Sequence, residues 1–175
     1  MKVLLYFEGQ NIISKSGIGQ AMKHQMAALD SAGIAYTTNP DEDYDILHLN
    51  TIGPCSSALL RSARRKGKKI VVHAHSTEED FRNSFLFSNS IAPIFKRRLI
   101  QIYSQADHLI TPTPYSKKLL ESYGISIPIH ALSNGIDLDR FHYSEAKIRD
   151  FRTYFQLRPD EKVVISVGLF FKRKG

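Results

Sequence analysis

Cysteine is nearly absent from this chain of 175 residues, and tryptophan is absent altogether. The single cysteine, Cys55, cannot form a disulfide within the chain and has no companions at metal-ligand spacing. These absences exclude a disulfide scaffold and a cysteine-based zinc module. We expect Cys55 to be an inert, partly buried thiol in a protein made for a reducing compartment.

Long apolar runs are missing as well. Only six apolar residues and one lysine precede Glu8, which is too short for the core of a signal peptide. No window approaches the roughly 18 apolar residues of a membrane-spanning helix. The sequence therefore predicts a cytoplasmic protein, whose contact with a membrane would be peripheral.

The formal net charge of +7 comes from one stretch of the chain. Between Ile52 and Ala106, ten basic residues stand against three acidic ones, which accounts for the whole excess. Such polarity favours an anionic partner: a membrane surface, a nucleic acid or a phosphorylated substrate. A solvated face without a partner is an equally good explanation of a charge run.

Short apolar runs alternate with amphipathic stretches, which is typical of a Rossmann-like, doubly wound parallel sheet. The predicted strands are 2–7, 34–38, 45–49, 70–74, 108–111 and 128–132, and the predicted helices are 56–66, 114–123 and one that ends at Gly33. The helix before Gly33 carries Ile18, Met22, Met26 and Leu29 on one face. Residues 77–105 are expected to become helical from Pro93, with this proline in the first turn. A parallel sheet places a ligand crevice at the carboxyl ends of its strands.

The clearest boundary along the chain lies near Phe141. Residues 1–141 are predicted to form one domain, and residues 142–160 a linker with a polar helix over 143–155. Residues 161–175 begin with an apolar run that is typical of a strand buried in a parallel sheet. We interpret this run and its glycine turn as the start of a second, truncated domain.

The loop after the first predicted strand ends in Ser16-Gly17-Ile18-Gly19, where a helix begins. Glycines let backbone amides approach a ligand closely, and a helix N-terminus favours an anion such as phosphate. The loop is too long for a dinucleotide-binding turn, and Met22 replaces the third glycine of that motif. An ordinary helix start explains the glycines equally well if they are taken alone.

The loop after the fourth predicted strand reads His73-Ala74-His75-Ser76-Thr77. Alternation along the strand puts both histidines on one face, with His75 nearest the crevice. Either histidine can bond a sugar hydroxyl or stabilise charge, because its pKa lies near working pH, although a structural role is the alternative. Residues 78–80 are acidic and favour the first turn of a helix over a catalytic or metal-binding role.

A third loop contains Asn134-Gly135-Ile136-Asp137, and a lysine and a glycine close the chain. The order of these motifs, with Asp107-His-Leu-Ile-Thr-Pro-Thr-Pro-Tyr-Ser116 between them, resembles the amino-terminal domain of family-4 retaining glycosyltransferases. That family has the GT-B fold, in which two Rossmann-like domains face each other across a cleft. The resemblance covers nearly the whole chain.

The resemblance implies a role for each matching residue. Gly17 and Gly19 would lie against the donor diphosphate, His75 would be the catalytic histidine at the donor sugar, and Ser76 and Thr77 would line the acceptor cleft. Lys174 would neutralise the leaving phosphate. Asn134 and Asp137 would be structural residues near the hinge, and Leu169 replaces an arginine that the family often has, for which Lys172 or Arg173 could substitute. No cofactor or metal is implied, the donor being a UDP-hexose.

One predicted helix face also favours a lipid surface. Ile91, Phe95, Leu99 and Ile102 recur at helical spacing, and Lys96, Arg97 and Arg98 flank them. An apolar stripe with basic flanks suits an anionic bilayer, so Phe95, Lys96, Arg97 and Arg98 are predicted membrane contacts. The alternative is that the stripe packs on the sheet, as in most amphipathic helices.

Within the family, the chain is most similar to bacterial synthases that add a hexose to diacylglycerol or monoglucosyldiacylglycerol. Residues 1–9, 15–19 and 168–175 carry this similarity. It implies a peripheral membrane enzyme whose partners are a nucleotide sugar, an anionic membrane and a lipid acceptor, with no nucleic acid. The family's paired carboxylates belong to the second domain, so we expect the 175-residue chain alone to be inactive. Two alternatives remain: a basic nucleic-acid-binding domain, and a complete small nucleotide-binding protein.

Overall fold

Six strands form one parallel sheet in the computed structural model, which describes residues 1–9, 17–138 and 142–165. The strands are β1 (Lys2–Tyr6), β2 (Ala35–Thr37), β3 (Ile46–Leu49), β4 (Lys69–His73), β5 (His108–Thr111) and β6 (Ile129–Ala131). Their order across the sheet is β2-β1-β3-β4-β5-β6, and every pairing is parallel. The predicted wound parallel sheet is thus confirmed, with each strand at the predicted place.

Helices connect these strands. They are α1 (Gly17–Ser31), α2 (Pro54–Arg65), α3 (Glu78–Phe81), α4 (Ser88–Tyr103) and α5 (Pro114–Ser122). The prediction that α4 begins at Pro93 was wrong, because the helix begins at Ser88 and the proline lies inside it. Ser88 and Ala92 are buried, and their packing fixes the start of the helix. The stabilisation from this packing outweighs the cost of the backbone hydrogen bond that Pro93 cannot donate.

The two faces of the sheet have separate cores. One core joins strand residues such as Leu47 and Val72 to Leu60, Leu99 and Leu120 of α2, α4 and α5. The other joins Val3, Leu5 and Phe7 of the first strand and the residue after it to the predicted apolar face of α1 (Ile18, Met22, Met26 and Leu29). Alternate side chains of β1 therefore enter different cores, as the period of a strand requires.

The chain divides into two compact units, Met1–Gly135 and Ile136–Gly175. The second unit contains α6 (Glu145–Tyr154), which lies within the predicted polar helix and buries none of its residues. Its N-cap is Ser144, whose side chain accepts a hydrogen bond from the backbone of Lys147. Residues 161–165 form neither helix nor strand. The rest of the predicted terminal strand and its glycine turn lie outside the described residues.

Glu8, just after β1, holds the first turn of α2. Its carboxylate accepts hydrogen bonds from the backbone N–H of Cys55 (3.2 Å) and from the N–H and hydroxyl of Ser56 (both 2.8 Å). Burial disfavours the charged form, but the hydrogen bonds from Ser56 and Cys55 outweigh it and lower the pKa of Glu8. The Cys55 thiol is exposed rather than partly buried, because it lies in this first turn at the surface.

Gly53 leaves the space that the Glu8 carboxylate occupies. A Cβ atom at Gly53 would lie 2.4 Å from Oε2 of Glu8. We expect Gly53→Ala to displace the carboxylate from α2 and to lower the free energy of unfolding by about 1–2 kcal/mol, the usual cost of a lost helix cap. Urea unfolding measures this. Gly17→Ala is the matched control, since its Cβ meets nothing within 4 Å, and equal stability of the two variants would contradict the prediction.

Candidate active site

The candidate site lies at the carboxyl edge of the sheet, where the strand order reverses. β2 lies on one side of β1 and β3 on the other, which is the switch point where wound sheets bind ligands. The chain leaves β4 at this edge towards His75, and it enters α1 at Gly17 from the same edge. Gly17 is exposed and Gly19 is buried. Residues 10–16, which complete the predicted glycine loop, lie outside the described residues.

Three histidine rings lie in a stack at the ends of β3 and β4. The rings of His73 and His75 are 4.1 Å apart at an interplanar angle of 7°, so both lie on one side of the strand end, as alternation predicts. His48 continues the stack, with its ring 5.7 Å from that of His73 at 2°. His75 lies at one end of this stack, and His48 lies at the other.

Burial makes all three imidazoles neutral at physiological pH. It lowers the pKa of His73 to about 4. Burial and the neighbouring rings lower the pKa of His75 and of His48 to about 3. The expectation that these histidines titrate near working pH was therefore wrong. His75 can bond a hydroxyl group, but it cannot stabilise negative charge as a cation at pH 7.

Two amide side chains link the histidines to α1. Nε2 of Gln25 donates to Oδ1 of Asn50 (2.8 Å) and lies 2.9 Å from Nδ1 of His73. Oδ1 of Asn50 also lies 3.1 Å from Nε2 of His75. Sequence reasoning missed both amides. The sequence contained only two weak signals for these amides. Asn50 directly follows β3, and Gln25 is a polar residue beside the apolar face of α1.

A groove of about 370 Å³ runs between α1 and the loop after β6. Four buried side-chain atoms without a hydrogen-bond partner among the described residues belong to residues that line it: Oε1 of Gln25, Nε2 of His48, Nε2 of His73 and Oδ1 of Asn134. Buried polar atoms normally have partners. The groove therefore offers hydrogen bonds that water or a hydroxylated ligand can complete.

The segment after His75 makes structural contacts. The carbonyl of Ser76 accepts a hydrogen bond from the hydroxyl of Tyr103 (3.1 Å). Thr77 is the buried N-cap of α3, and its side chain accepts from the N–H of Asp80. The acidic residues 78–80 form the first turn of that helix, as predicted. Within the described ranges, no group of three His, Cys, Asp or Glu residues can hold a metal ion.

The predicted apolar stripe of α4 packs in the core except at Ile91, which largely agrees with the alternative raised for it. Leu99 and Ile102 belong to the core, and the half-buried ring of Phe95 stacks on Phe81 at 4.1 Å. Nζ of Lys96 lies 3.2 Å from Oε2 of the buried Glu78. Two further basic residues differ in environment: Arg98 donates to the hydroxyl of Ser57, and Arg97 is exposed.

An exposed apolar patch lies where α3 leads into α4. It consists of Phe85, Leu86, Phe87, Ile91 and Ile94, with exposed fractions of 55%, 79%, 71%, 43% and 67%. Phe87 has φ of 65°, a conformation that costs energy in a bulky residue. Clustered exposed apolar residues mark interaction surfaces in soluble folds. Among the described helices, none has both the length and the apolar character to cross a bilayer.

Lys96 is expected to stabilise the fold through Glu78. Lys96→Ala should lower the free energy of unfolding by about 1.5–3 kcal/mol, since it removes a charged hydrogen bond to a buried carboxylate. Despite burial, bonds from Arg82 and Lys96 lower the pKa of Glu78. The stabilisation is therefore complete above the unfolded-state pKa of Glu78 and is lost as pH falls through the folded-state pKa.

Chemical unfolding at neutral and acidic pH measures both effects of Lys96→Ala. Arg97→Ala is the control, because substitution of an exposed side chain usually changes the free energy of unfolding by less than about 0.5 kcal/mol. If both variants matched the unchanged chain at neutral pH, the Lys96 contact would have no structural role.

Two comparisons of the sequence with known proteins found matches. Residues 29–140 match the family described as Glycosyltransferase Family 4. The chain is also 49% identical, over 176 aligned residues, to a processive diacylglycerol alpha-glucosyltransferase of Acholeplasma laidlawii. The alignment covers 100% of the chain and 52% of that relative, so the chain spans about half of the relative's length.

Proposed function

Because the chain belongs to glycosyltransferase family 4, we propose that it is the acceptor-side half of a retaining glycosyltransferase. The enzyme would move a hexose from a UDP-sugar to diacylglycerol or monoglucosyldiacylglycerol. The relative's name supports the lipid acceptor. The observation that carries the proposal is the position of His75, which follows β4 at the edge where α1 begins and contacts Asn50 at the end of β3, the strand next to the switch point.

The proposed chemistry divides between the two ends of this site. Retaining transfer requires an acceptor hydroxyl on the face from which the nucleotide departs, and donors for the charge that develops on the diphosphate. Gly17 and Gly19 open α1, whose N-terminal amides suit a diphosphate. Lys174, outside the described residues, would add a positive charge there. Ser76 and Thr77 would line the acceptor cleft through their backbone, since the Thr77 side chain caps α3.

His75 would bond a substrate hydroxyl as a neutral imidazole. In a protein that joins this chain to its donor-binding half, we expect His75→Ala to lower kcat/KM for hexose transfer by about 10- to 100-fold, as the loss of one buried hydrogen bond implies. Release of UDP with diacylglycerol as acceptor measures this. The 175-residue chain alone is expected to show no transfer.

His130→Ala is the matched control for that measurement, because His130 is an exposed strand residue outside the site. Transfer by the His75→Ala protein at the rate of this control would exclude the proposed role of His75. Circular dichroism of both variants separates lost chemistry from lost folding.

We place the membrane contact at the apolar patch together with Arg97, rather than along the stripe of α4. Leu99 and Ile102 are buried, and Lys96 and Arg98 are bonded within the fold. The patch residues, by contrast, are exposed and precede a basic segment. Apolar side chains would enter the headgroup region, and each nearby cation would add about 1 kcal/mol on an anionic surface. The enzyme would then be cytoplasmic and peripherally bound.

Replacing Leu86 and Phe87 with serine should weaken binding to vesicles of anionic phospholipid by at least tenfold, because two large apolar side chains no longer enter the bilayer. Vesicle flotation with the 175-residue chain measures this. Tyr115→Ser is the control, since Tyr115 is 68% exposed elsewhere on the first unit.

Flotation tests the patch, and two further binding measurements test the alternatives. Unchanged flotation of the Leu86 and Phe87 variant would remove the patch from the proposal. A steeply salt-dependent affinity for DNA or RNA, stronger than for anionic vesicles, would favour a nucleic-acid-binding domain. Tight UDP-sugar binding by the chain alone would favour a complete nucleotide-binding protein.

A further inference from the structure

The orientation of the Asn50 amide is fixed by the protein around it. Asn50 is buried, and its Nδ2 faces the backbone carbonyl of His48 at 3.4 Å. A rotated amide would set its oxygen against that carbonyl oxygen, so Oδ1 must point the other way, towards Gln25 and His75. An amide oxygen only accepts hydrogen bonds. Every group that bonds Oδ1 of Asn50 must therefore be a donor.

This requirement also determines the orientation of the Gln25 amide and the tautomer of His73. Gln25 approaches Oδ1 of Asn50 at 2.8 Å, and this contact must be made by its NH₂ group. The same nitrogen lies 2.9 Å from Nδ1 of His73. Nδ1 of His73 therefore accepts, and Nε2 carries the proton of that neutral ring.

The same requirement applies to His75. Its Nε2 lies 3.1 Å from Oδ1 of Asn50 and must be protonated to donate. A neutral imidazole has only one N–H, so Nδ1 keeps its lone pair. We propose that Asn50, oriented by the His48 carbonyl and by Gln25, is a positioning residue that holds His75 as the Nε2–H tautomer and presents Nδ1 as a hydrogen-bond acceptor.

This inference rests on the proposed function for its chemical meaning. An unprotonated Nδ1 accepts a hydrogen bond from a hydroxyl group, whereas a phosphate oxygen without a proton offers it no donor. His75 would thus select a hydroxyl of the hexose or of the lipid acceptor, and the diphosphate would be left to the amides at the start of α1. Burial next to His73 keeps the ring uncharged in this role.

Nitrogen-15 NMR of the 175-residue chain, labelled at histidine, tests the tautomer directly, because protonated and unprotonated ring nitrogens resonate far apart. We expect His75 to show a protonated Nε2 and an unprotonated Nδ1 throughout pH 5–8. A protonated Nδ1, or a doubly protonated ring within that range, would overturn the proposal. His75→Gln assigns the resonance.

Two substitutions separate positioning from simple packing. Asn50→Leu removes the acceptor, so the fraction of the Nδ1–H form should rise above that of the unchanged chain. Asn50→Asp keeps an acceptor but adds a negative charge, so the tautomer should persist at high pH while the pKa of His75 rises by at least one unit. The Asp variant, which is nearly isosteric, decides the question if Asn50→Leu does not fold.

Asn89→Leu and Asn89→Asp are the matched controls, since the Asn89 side chain bonds exposed residue Asn83 and not the histidine stack. They should leave the His75 resonances unchanged. An unchanged pKa of His75 in Asn50→Asp, measured by titration to pH 3, would overturn the inference. If the tautomer is confirmed but His75→Ala retains full hexose transfer in the joined protein, the proposed function fails while the positioning role of Asn50 stands.

Discussion

Parallel pairing of all six strands is the constraint from which the rest of the first unit follows. Because each strand enters the sheet from the same edge, every connection must cross back over a face, and all strand ends meet at the opposite edge. The strand order reverses at β1, so α1 packs on one face of the sheet, and α2, α4 and α5 pack on the other. The same polarity brings Glu8, Asn50 and His75 to one edge, although they are far apart in the sequence. Glu8 then ties the end of β1 to α2.

The site differs from a generic strand-end crevice because its histidines are buried in a stack. An exposed histidine changes charge near neutral pH, whereas burial makes the charged form unfavourable and leaves only the position of one proton to be chosen. The backbone carbonyl of His48 orients the Asn50 amide, and that amide determines which ring nitrogen of His75 carries the proton. Sheet geometry thereby determines the chemical character of a side chain at the crevice. Neutral imidazoles suit hydroxyl recognition, and they leave phosphate to backbone amides, which carry no proton equilibrium of their own.

The sequence predicts the sheet well for a physical reason: each strand is a short apolar run, and burial on both faces needs no information from elsewhere in the chain. The start of α4 was predicted wrongly because Pro93 is a local signal, whereas the burial of Ser88 and Ala92 depends on the fold. His75 was predicted as a candidate from its place at a strand end, and the family resemblance supplied its expected role. Gln25 and Asn50 were not predicted, since their contacts join residues 25 or 48 positions apart, and no spacing in the sequence shows such contacts.

The basic stretch shows that a charge count from the sequence does not predict which cations form contacts within the fold. Ten cations within 52–106 suggest one uniform surface, but Lys96 and Arg82 neutralise the buried Glu78, and Arg98 bonds Ser57. Glu78 cancels one of these charges, and the contacts of Lys96, Arg82 and Arg98 within the fold limit how far these side chains can reach towards an anionic partner. Attraction to a bilayer would then depend less on total charge than on the few exposed cations beside the apolar patch. A surface that combines exposed apolar side chains with few free charges binds lipid mainly through burial, so its affinity would resist salt more than the affinity of a purely electrostatic surface. This difference in salt response therefore depends on which basic side chains are already bonded within the fold.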